Sequence, residues 1–269
     1  MSRSSRKVCF PAWEYIVYQP YLGLHLAYHA KRFCFSERSR YQKIDIIDND
    51  AYGRMLFLDN NLQHTAYDSR TFNIALCSTA RRNRVARVVV LGGGSGQTVL
   101  TLLESPSIKH VQVVEIDALL VDSCRKYIKG ADRAFRDPRV NILISDAFKY
   151  LHSTDDKFDA AIIDLTERPF GFRNNSATLK RLYADIKQRC KGRCSQYVGS
   201  SVRLAYSPRM RSLADRVSRQ FLSNVTYEDV FIPSFGAPHT FMHAGYEILP
   251  GQVRTLMGRK GSTSNFMWN

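Results

Sequence analysis

The stretch that decides the fold is "VVVLGGGSGQTVLTLLE", residues 88–104. An uninterrupted apolar run is followed by a glycine-rich turn, and a helical pattern opens after Gly96. That order predicts a strand, a tight turn and a helix, the opening of a phosphate- or nucleoside-binding unit. The strand shows no polar alternation, so both of its faces are buried, as in a parallel sheet.

Outward from this stretch the same grammar repeats. "HVQVVEID" (110–117), "VNILISD" (140–146) and "FDAAIIDL" (158–165) predict buried strands, with "ALLVDSCRKYIKG" (118–130) and "AFKYLHSTD" (147–155) as helices between them. Further on, "LADRVSRQFLSN" (213–224) reads as a helix, and "VTYEDVFI" (225–232) and "HTFMHAGYEI" (239–248) read as strands. Upstream, "YQKIDIIDND" (41–50), "AYGRMLFLDN" (51–60) and "DNNLQHTAYD" (59–68) alternate around turn residues and predict a small antiparallel sheet. "SRTFNIALCSTA" (69–80) predicts one helix with Phe72, Ala75, Leu76 and Ala80 on a single face. The expected fold class is α/β: a Rossmann-like, S-adenosylmethionine-type parallel-core sheet with helices on both faces, preceded by a small antiparallel β domain. The expected domains are 1–76, the β domain with its connecting helix, and 77–269, the nucleoside-binding catalytic domain; "GRKGSTSNFMWN" (258–269) reads as a loose tail.

The 269 residues are 44% hydrophobic and 12% aromatic, which excludes a disordered chain. No run of about 18 apolar residues is present, so no membrane-spanning helix is expected. The basic N-terminus lacks an apolar region behind it, so a cytoplasmic location is expected. Six cysteines are scattered; Cys190 and Cys194 are close but have no histidine pair nearby, so reduced thiols and no metal are expected. The net charge of +15 comes from dispersed residues, densest in "RRNRVAR" (81–87). It reads first as a solvated basic face, with a nucleic-acid surface as the weaker alternative and no membrane partner.

In an open parallel sheet the ligand lies beyond the carboxyl ends of the strands. Here those ends carry the glycines Gly92, Gly93 and Gly94, then Glu115, Asp146 and Asp164. Glu115 stands about twenty residues past the loop, where a carboxylate accepts hydrogen bonds from ribose hydroxyls. A dinucleotide site needs G-x-G-x-x-G, but the third position is Gln97. The spacing present, Gly92, Gly94 and Gly96, suits a nucleoside without a pyrophosphate, such as an S-adenosyl sulfonium compound. Asp146 then suits an adenine amino group, and Ser95 and Ile116 are the loop and strand-end neighbours of the same ligand.

Seven blocks, "YQKIDIID", "GRMLFLDNNLQHTAYD", "VVVLGGGSGQT", "VVEID", "DPRVNILISDAFKYL", "FDAAIIDLTERPFG" and "VTYEDVFIPSF", resemble in order the polyamine synthases, the spermidine-synthase-like aminopropyltransferases. The resemblance runs from Trp13 to Ala244. It implies a transferase, often a homodimer, that moves an aminopropyl group from decarboxylated S-adenosylmethionine to a small cationic amine without a metal. It also implies Gln42 and Gln63 over the methionine-derived part of the donor, Glu115 on the ribose, and Asp146 with Ala147 on the adenine. Asp164 corresponds to the aspartate that binds and helps deprotonate the attacking amine.

Other positions depart from the family pattern. The loop aspartate of G-G-G-D-G is Ser95; Tyr-His-Glu is Phe72, Asn73 and Ile74; the glutamate of T-E-R-D is Ala66, with Asp68 retained. The second acid after the catalytic aspartate is Glu167, and "PSFGAPHTF" (233–241) lacks the late tryptophan but contains His239 and Thr240. Losing a charge-assisted contact at Ser95 costs about 1.5–3 kcal/mol toward a cationic donor amine. A neutral loop also tolerates the carboxylate of intact S-adenosylmethionine better. Three readings stay open. An aminopropyltransferase is favoured by the acidic set Asp68, Asp164 and Glu167, with Tyr67 stacking on the acceptor or merely packing. An S-adenosylmethionine-dependent methyltransferase acting on an amine or RNA is favoured by Ser95. An inactive nucleoside-binding or regulatory homologue is favoured by the concentrated losses.

Overall fold

A computed structural model describes residues 14–19, 24–81, 85–165, 175–201 and 207–245. The strands β1 (Glu14–Gln19) and β2 (Leu24–His29) form an antiparallel pair. A four-stranded antiparallel sheet follows, in the order β3 (Arg32–Arg38), β4 (Lys43–Asn49), β5 (Gly53–Leu58) and β6 (Asn61–Thr65). The tight turn between β5 and β6 places Asp59 and Asn60 at φ 46° and 62°, a left-handed pair that matches the twist of a two-residue hairpin.

Two short helices lead into the main sheet, α1 (Ser69–Leu76) and α2 (Ser78–Arg81). The single helix expected over 69–80 is therefore broken at Cys77. The second turn is drawn onto the sheet, where the Thr79 hydroxyl donates to the Cys194 carbonyl (3.2 Å). The central unit comprises β7 (Arg87–Gly92), α3 (Gln97–Leu103), β8 (His110–Glu115), α4 (Ala118–Tyr127), α5 (Ala131–Phe135), β9 (Val140–Ile144), α6 (Ala147–Ser153) and β10 (Ala160–Asp164). It continues with α7 (Asn175–Arg189), β11 (Cys194–Ser200), α8 (Ser207–Ser218), β12 (Thr226–Ile232) and β13 (Ala237–Ala244). Both α7 and β11 fall outside the elements predicted from sequence. "CSQYVGS" lacks an apolar run because it pairs with β13, whose own polar side chains meet it.

The seven strands lie in the order β12-β13-β11-β10-β7-β8-β9, with β7 to β11 parallel and β13 and β12 antiparallel. The chain builds outward from β7 to β9, then returns to the other side of β7 as β10. The order thus reverses between β7 and β10, and Gly92 and Asp164 face each other in register there. Such a switch point opens a crevice. Alternate residues of β7 feed two cores: Val88 and Val90 pack with α3 and α5, while Val89 and Leu91 pack with α6 and α7. This double burial is why the strand reads as unbroken apolar sequence.

Among the described residues no helix is long and apolar enough to cross a membrane. Cys34, Cys77, Cys124, Cys190 and Cys194 are unpaired thiols. The tail (258–269) and residues 82–84 of the basic cluster lie outside the described residues.

Candidate functional site

The glycine loop sits at the switch point. Gly92 has φ +87°, and a Cβ there would stand 2.2 Å from the Asp164 carbonyl oxygen, so no larger residue lets β7 and β10 end this close together. A Cβ on Gly94 would meet Glu115 Oε2 at 2.9 Å. The Gly94 N–H instead donates to that oxygen (3.1 Å), while the Ile116 and Asp117 N–H groups donate to Oε1 (2.8 and 3.1 Å). Glu115 is buried, and burial pushes its carboxyl up to about 7 against the pull of those three N–H donors.

Asp117 extends the same edge into the β domain. It accepts from Ser39 Oγ (2.7 Å) and Gln42 Nε2 (3.0 Å) through Oδ2, and it caps α4 through Oδ1. Gln42 is thereby held beside the strand end that bears Glu115. Gln63 lies half-buried on β6, and its amide donates within its own strand, to the Asn61 carbonyl (3.4 Å). Asp146 caps α6 through Oδ1, which accepts from the Phe148 and Lys149 N–H groups (2.9 and 3.0 Å). Asp146, Ile116, Ile144, Tyr41, Arg40 and Lys149 line a cleft of about 300 Å³. Ala147, the next residue after Asp146, is buried. The Ser95 hydroxyl accepts from the Gln97 N–H (3.3 Å), so it serves the first turn of α3.

The other half of the site is built mainly from contacts between side chains. Asp164 ends β10 half-buried, with Thr98 Oγ1 of α3 at 2.6 Å from its Oδ2. Thr98 Oγ1 also lies 2.8 Å from Asn73 Oδ1. Asn73 Nδ2 donates to the Ser69 carbonyl (2.8 Å), which fixes Oδ1 toward the threonine. One hydroxyl hydrogen cannot serve two acceptors. Both contacts are hydrogen bonds together only when Asp164 carries a proton and donates it to Thr98 Oγ1. Burial likewise raises the Asp164 carboxyl above its ordinary range, against the Thr98 bond. When Asp164 ionises, the threonine turns its hydrogen to the carboxylate. The relay therefore accommodates either protonation state.

Asp68 is buried and already engaged. Its Oδ1 accepts from Thr65 Oγ1 (2.7 Å) and Ser234 Oγ (2.9 Å), and its Oδ2 accepts from the Ser234 N–H (2.7 Å). It ties the β6–α1 junction to the 3-10 turn Pro233–Phe235. Tyr67 is exposed, with its ring edge-on to Tyr52 at 6.1 Å. Glu167 lies outside the described residues. Phe72 packs into an aromatic group with Phe241 (5.0 Å), Tyr197 (5.3 Å) and Phe235 (6.3 Å). Among the described residues no group of His, Cys, Asp and Glu is gathered that could hold a metal ion.

A family profile described as "Spermine/spermidine synthase domain" matches residues 64–245, and a "Spermidine synthase tetramerisation domain" profile matches residues 15–66. The chain belongs to the spermine/spermidine synthase family. It is 28% identical over 220 residues to a polyamine aminopropyltransferase of Sulfurisphaera tokodaii, covering 80% of this chain and 72% of that protein. It is 32% identical over 210 residues to one from Pyrobaculum neutrophilum, covering 74% and 70%. In fold it resembles a spermidine synthase crystallised with the transition-state analogue AdoDATO, at TM-score 0.77 and 23% identity over 91% of this chain and 86% of that one. The spermidine-synthase fold and the transferase family expected from sequence both hold.

Sequence reading singled out the acids that backbone N–H groups hold here, and gave no notice of Thr98, Tyr197, Ser234 or the use made of Asn73. The one available signal was Thr98, a small polar residue in the first turn after the loop. Tyr197 gave none, because its strand was not legible.

Proposed function

We propose that this protein transfers an aminopropyl group from decarboxylated S-adenosylmethionine to a small amine. The observation that carries this reading is Asp164: a half-buried carboxyl at the switch point, next to the glycine loop and wired to Thr98. An ammonium acceptor must lose a proton before its nitrogen can attack carbon beside a sulfonium, and a carboxylate at this position suits that task. The approaching cation favours ionisation of Asp164, so the acceptor itself primes the base. Glu115 would take the ribose hydroxyls, Asp146 with Ala147 the adenine beside Ile116, and Gln42 and Gln63 the aminopropyl-bearing arm. Gly92, Gly94 and Gly96 let the loop approach the nucleoside. Asp68 would contribute negative charge on the acceptor side and Tyr67 a ring, with Glu167 assigned to the acceptor by the family resemblance alone. The tetramerisation-domain match supports a homo-oligomer.

A second reading is favoured by one observation. The Ser95 hydroxyl accepts from the start of α3 and brings no charge to the donor's amine. Intact S-adenosylmethionine and methyl transfer suit such a loop. Incubating the protein with either donor and a panel of diamines, then reading masses, decides between them. Added aminopropyl mass supports the first reading; added methyl mass replaces it; neither leaves a nucleoside-binding protein. Calorimetric preference for the carboxylated donor would sink the aminopropyl reading.

A further inference from the structure

Phe72 has no hydroxyl where the family carries its tyrosine, yet the fold brings another phenol to the same place. In the β10–β11 register Ile163 pairs with Gln196, so the next residues along the two strands are Asp164, which ends β10, and Tyr197, in the middle of β11. Side chains of paired residues share a face, and successive residues alternate. Gln196 faces α7, where its Oε1 accepts from the Tyr183 hydroxyl (2.7 Å). Asp164 and Tyr197 therefore point together to the opposite face, with Thr98 and Phe72. The Tyr197 ring lies 5.3 Å from the Phe72 ring.

Tyr197 does not stand alone. Its hydroxyl is 2.7 Å from His239 Nδ1, and the two rings stack at 5.5 Å. His239 is buried against Phe235 (4.7 Å). Burial pushes its imidazole down to about 4, against the pull of the Asp68 charge. The ring is thus neutral near pH 7, and with its hydrogen on Nε2 it accepts the phenolic hydrogen at Nδ1. A phenol whose hydrogen is held this way offers its oxygen only as an acceptor.

We propose that Tyr197, oriented by His239, is the acceptor-side hydroxyl of this site: its oxygen accepts an N–H of the attacking amine and aims the nitrogen lone pair. The inference rests on the aminopropyl-transfer reading. An acceptor ammonium gives one proton to the Asp164 carboxylate, and Tyr197 holds a remaining N–H. The lone pair forms the new N–C bond as the C–S bond breaks. The C–S electron pair leaves with sulfur, which turns the sulfonium into a neutral thioether, and the secondary amine carries the positive charge away. Tyr197 touches substrate in this scheme, while His239 is a positioning residue.

Tyr197→Phe keeps the ring and removes the oxygen. The expected result is a fall in kcat of about 10- to 100-fold with putrescine as acceptor, while methylthioadenosine binding stays within about two-fold. Adding Phe72→Tyr to that variant should recover about ten-fold, which a packing role for Tyr197 does not produce. His239→Leu should lose most of what Tyr197→Phe loses, and His239→Gln, whose amide oxygen can accept the phenolic hydrogen, should retain more. Unchanged kcat and KM in Tyr197→Phe overturn the inference and leave the aminopropyl reading standing.

A binding measurement covers the case of no turnover. Putrescine is titrated calorimetrically into the protein saturated with methylthioadenosine, and Tyr197→Phe should weaken it about five- to ten-fold. Binding that depends on Tyr197 without turnover keeps Tyr197 as the amine contact but sinks the transfer reading and, with it, the role of Tyr197 in aiming the lone pair. Equal binding in both proteins overturns the inference. A wild-type protein that neither transfers nor binds putrescine sinks both.

Discussion

The two halves of the site are held by different kinds of bond. On the glycine-loop side, where we propose the nucleoside binds, backbone N–H groups fix the carboxylates: three on Glu115 and two on Asp146. Four of these five donors lie within three residues of their acceptor in sequence, and the fifth is the glycine loop itself. On the reacting side the bonds run between side chains far apart in the chain: Asp164 to Thr98, Thr98 to Asn73, Tyr197 to His239, and Asp68 to Ser234. A backbone-built ligand set tolerates sequence change, because any residue supplies an N–H. A side-chain-built one changes chemistry whenever a residue changes. Phe72 and Asn73 depart from the family pattern on the side-chain-built half, while Glu115 and Asp146 keep their backbone-held places.

The sharpest way to break this contrast is Asp164→Asn. It should lower kcat by about 100- to 10,000-fold, with methylthioadenosine affinity held within about two-fold in calorimetry. A parallel collapse of nucleoside binding would mean the two halves are not separable. Next in size is Glu115→Gln, which should weaken the nucleoside by about 1.5–3 kcal/mol, the worth of hydrogen bonds to a charged group. The same carboxyl gives a pH signature. Ribose hydroxyls bond best to its ionised form, so nucleoside binding releases a proton below about pH 7. Affinity should tighten as pH rises through about 7 and then level off, with proton release read from titrations in buffers of different ionisation heat.

Asp68→Ala tests the structural use of that acid. It strands the buried Ser234 N–H and removes the bonds to Thr65 and Ser234, so unfolding in urea should show a loss of about 1–3 kcal/mol. If stability is unchanged, Asp68 is not the clamp its geometry describes. The smallest and most diagnostic effects concern the relay. Thr98→Val removes the hydrogen that favours ionised Asp164, so the acid limb of the rate profile should move to higher pH. Asn73→Ala removes the acceptor that draws the threonine hydrogen away from the carboxylate, so the limb should move lower. Shifts in the same direction would break the relay.

Legibility in the sequence followed the same division. The positions of Glu115 and Asp146 were readable because each follows an apolar run, and a strand end in a parallel sheet lies at the crevice. Gln42 was implied by family resemblance, and the fold sets it beside the Glu115 strand end through Asp117. Asp68 illustrates the opposite case: its acidity was plain, while its engagement by Ser234, 166 residues away, was not. Thr98 looked like an ordinary helix residue and Asn73 only like a departure from the family motif, and their juxtaposition depends on how α1 packs on α3.

The sequence by itself determined the parallel strands β7 to β10 and the glycine turn between β7 and α3, because hydrophobic period and backbone geometry are local properties of the chain. Only the tertiary structure decided that Asp164 rests in a hydrogen-bonded chain with Thr98 and Asn73, and that Tyr197 arrives beside the ring of Phe72. Those contacts arise from strand order and register, which place distant residues on one face at the end of one crevice.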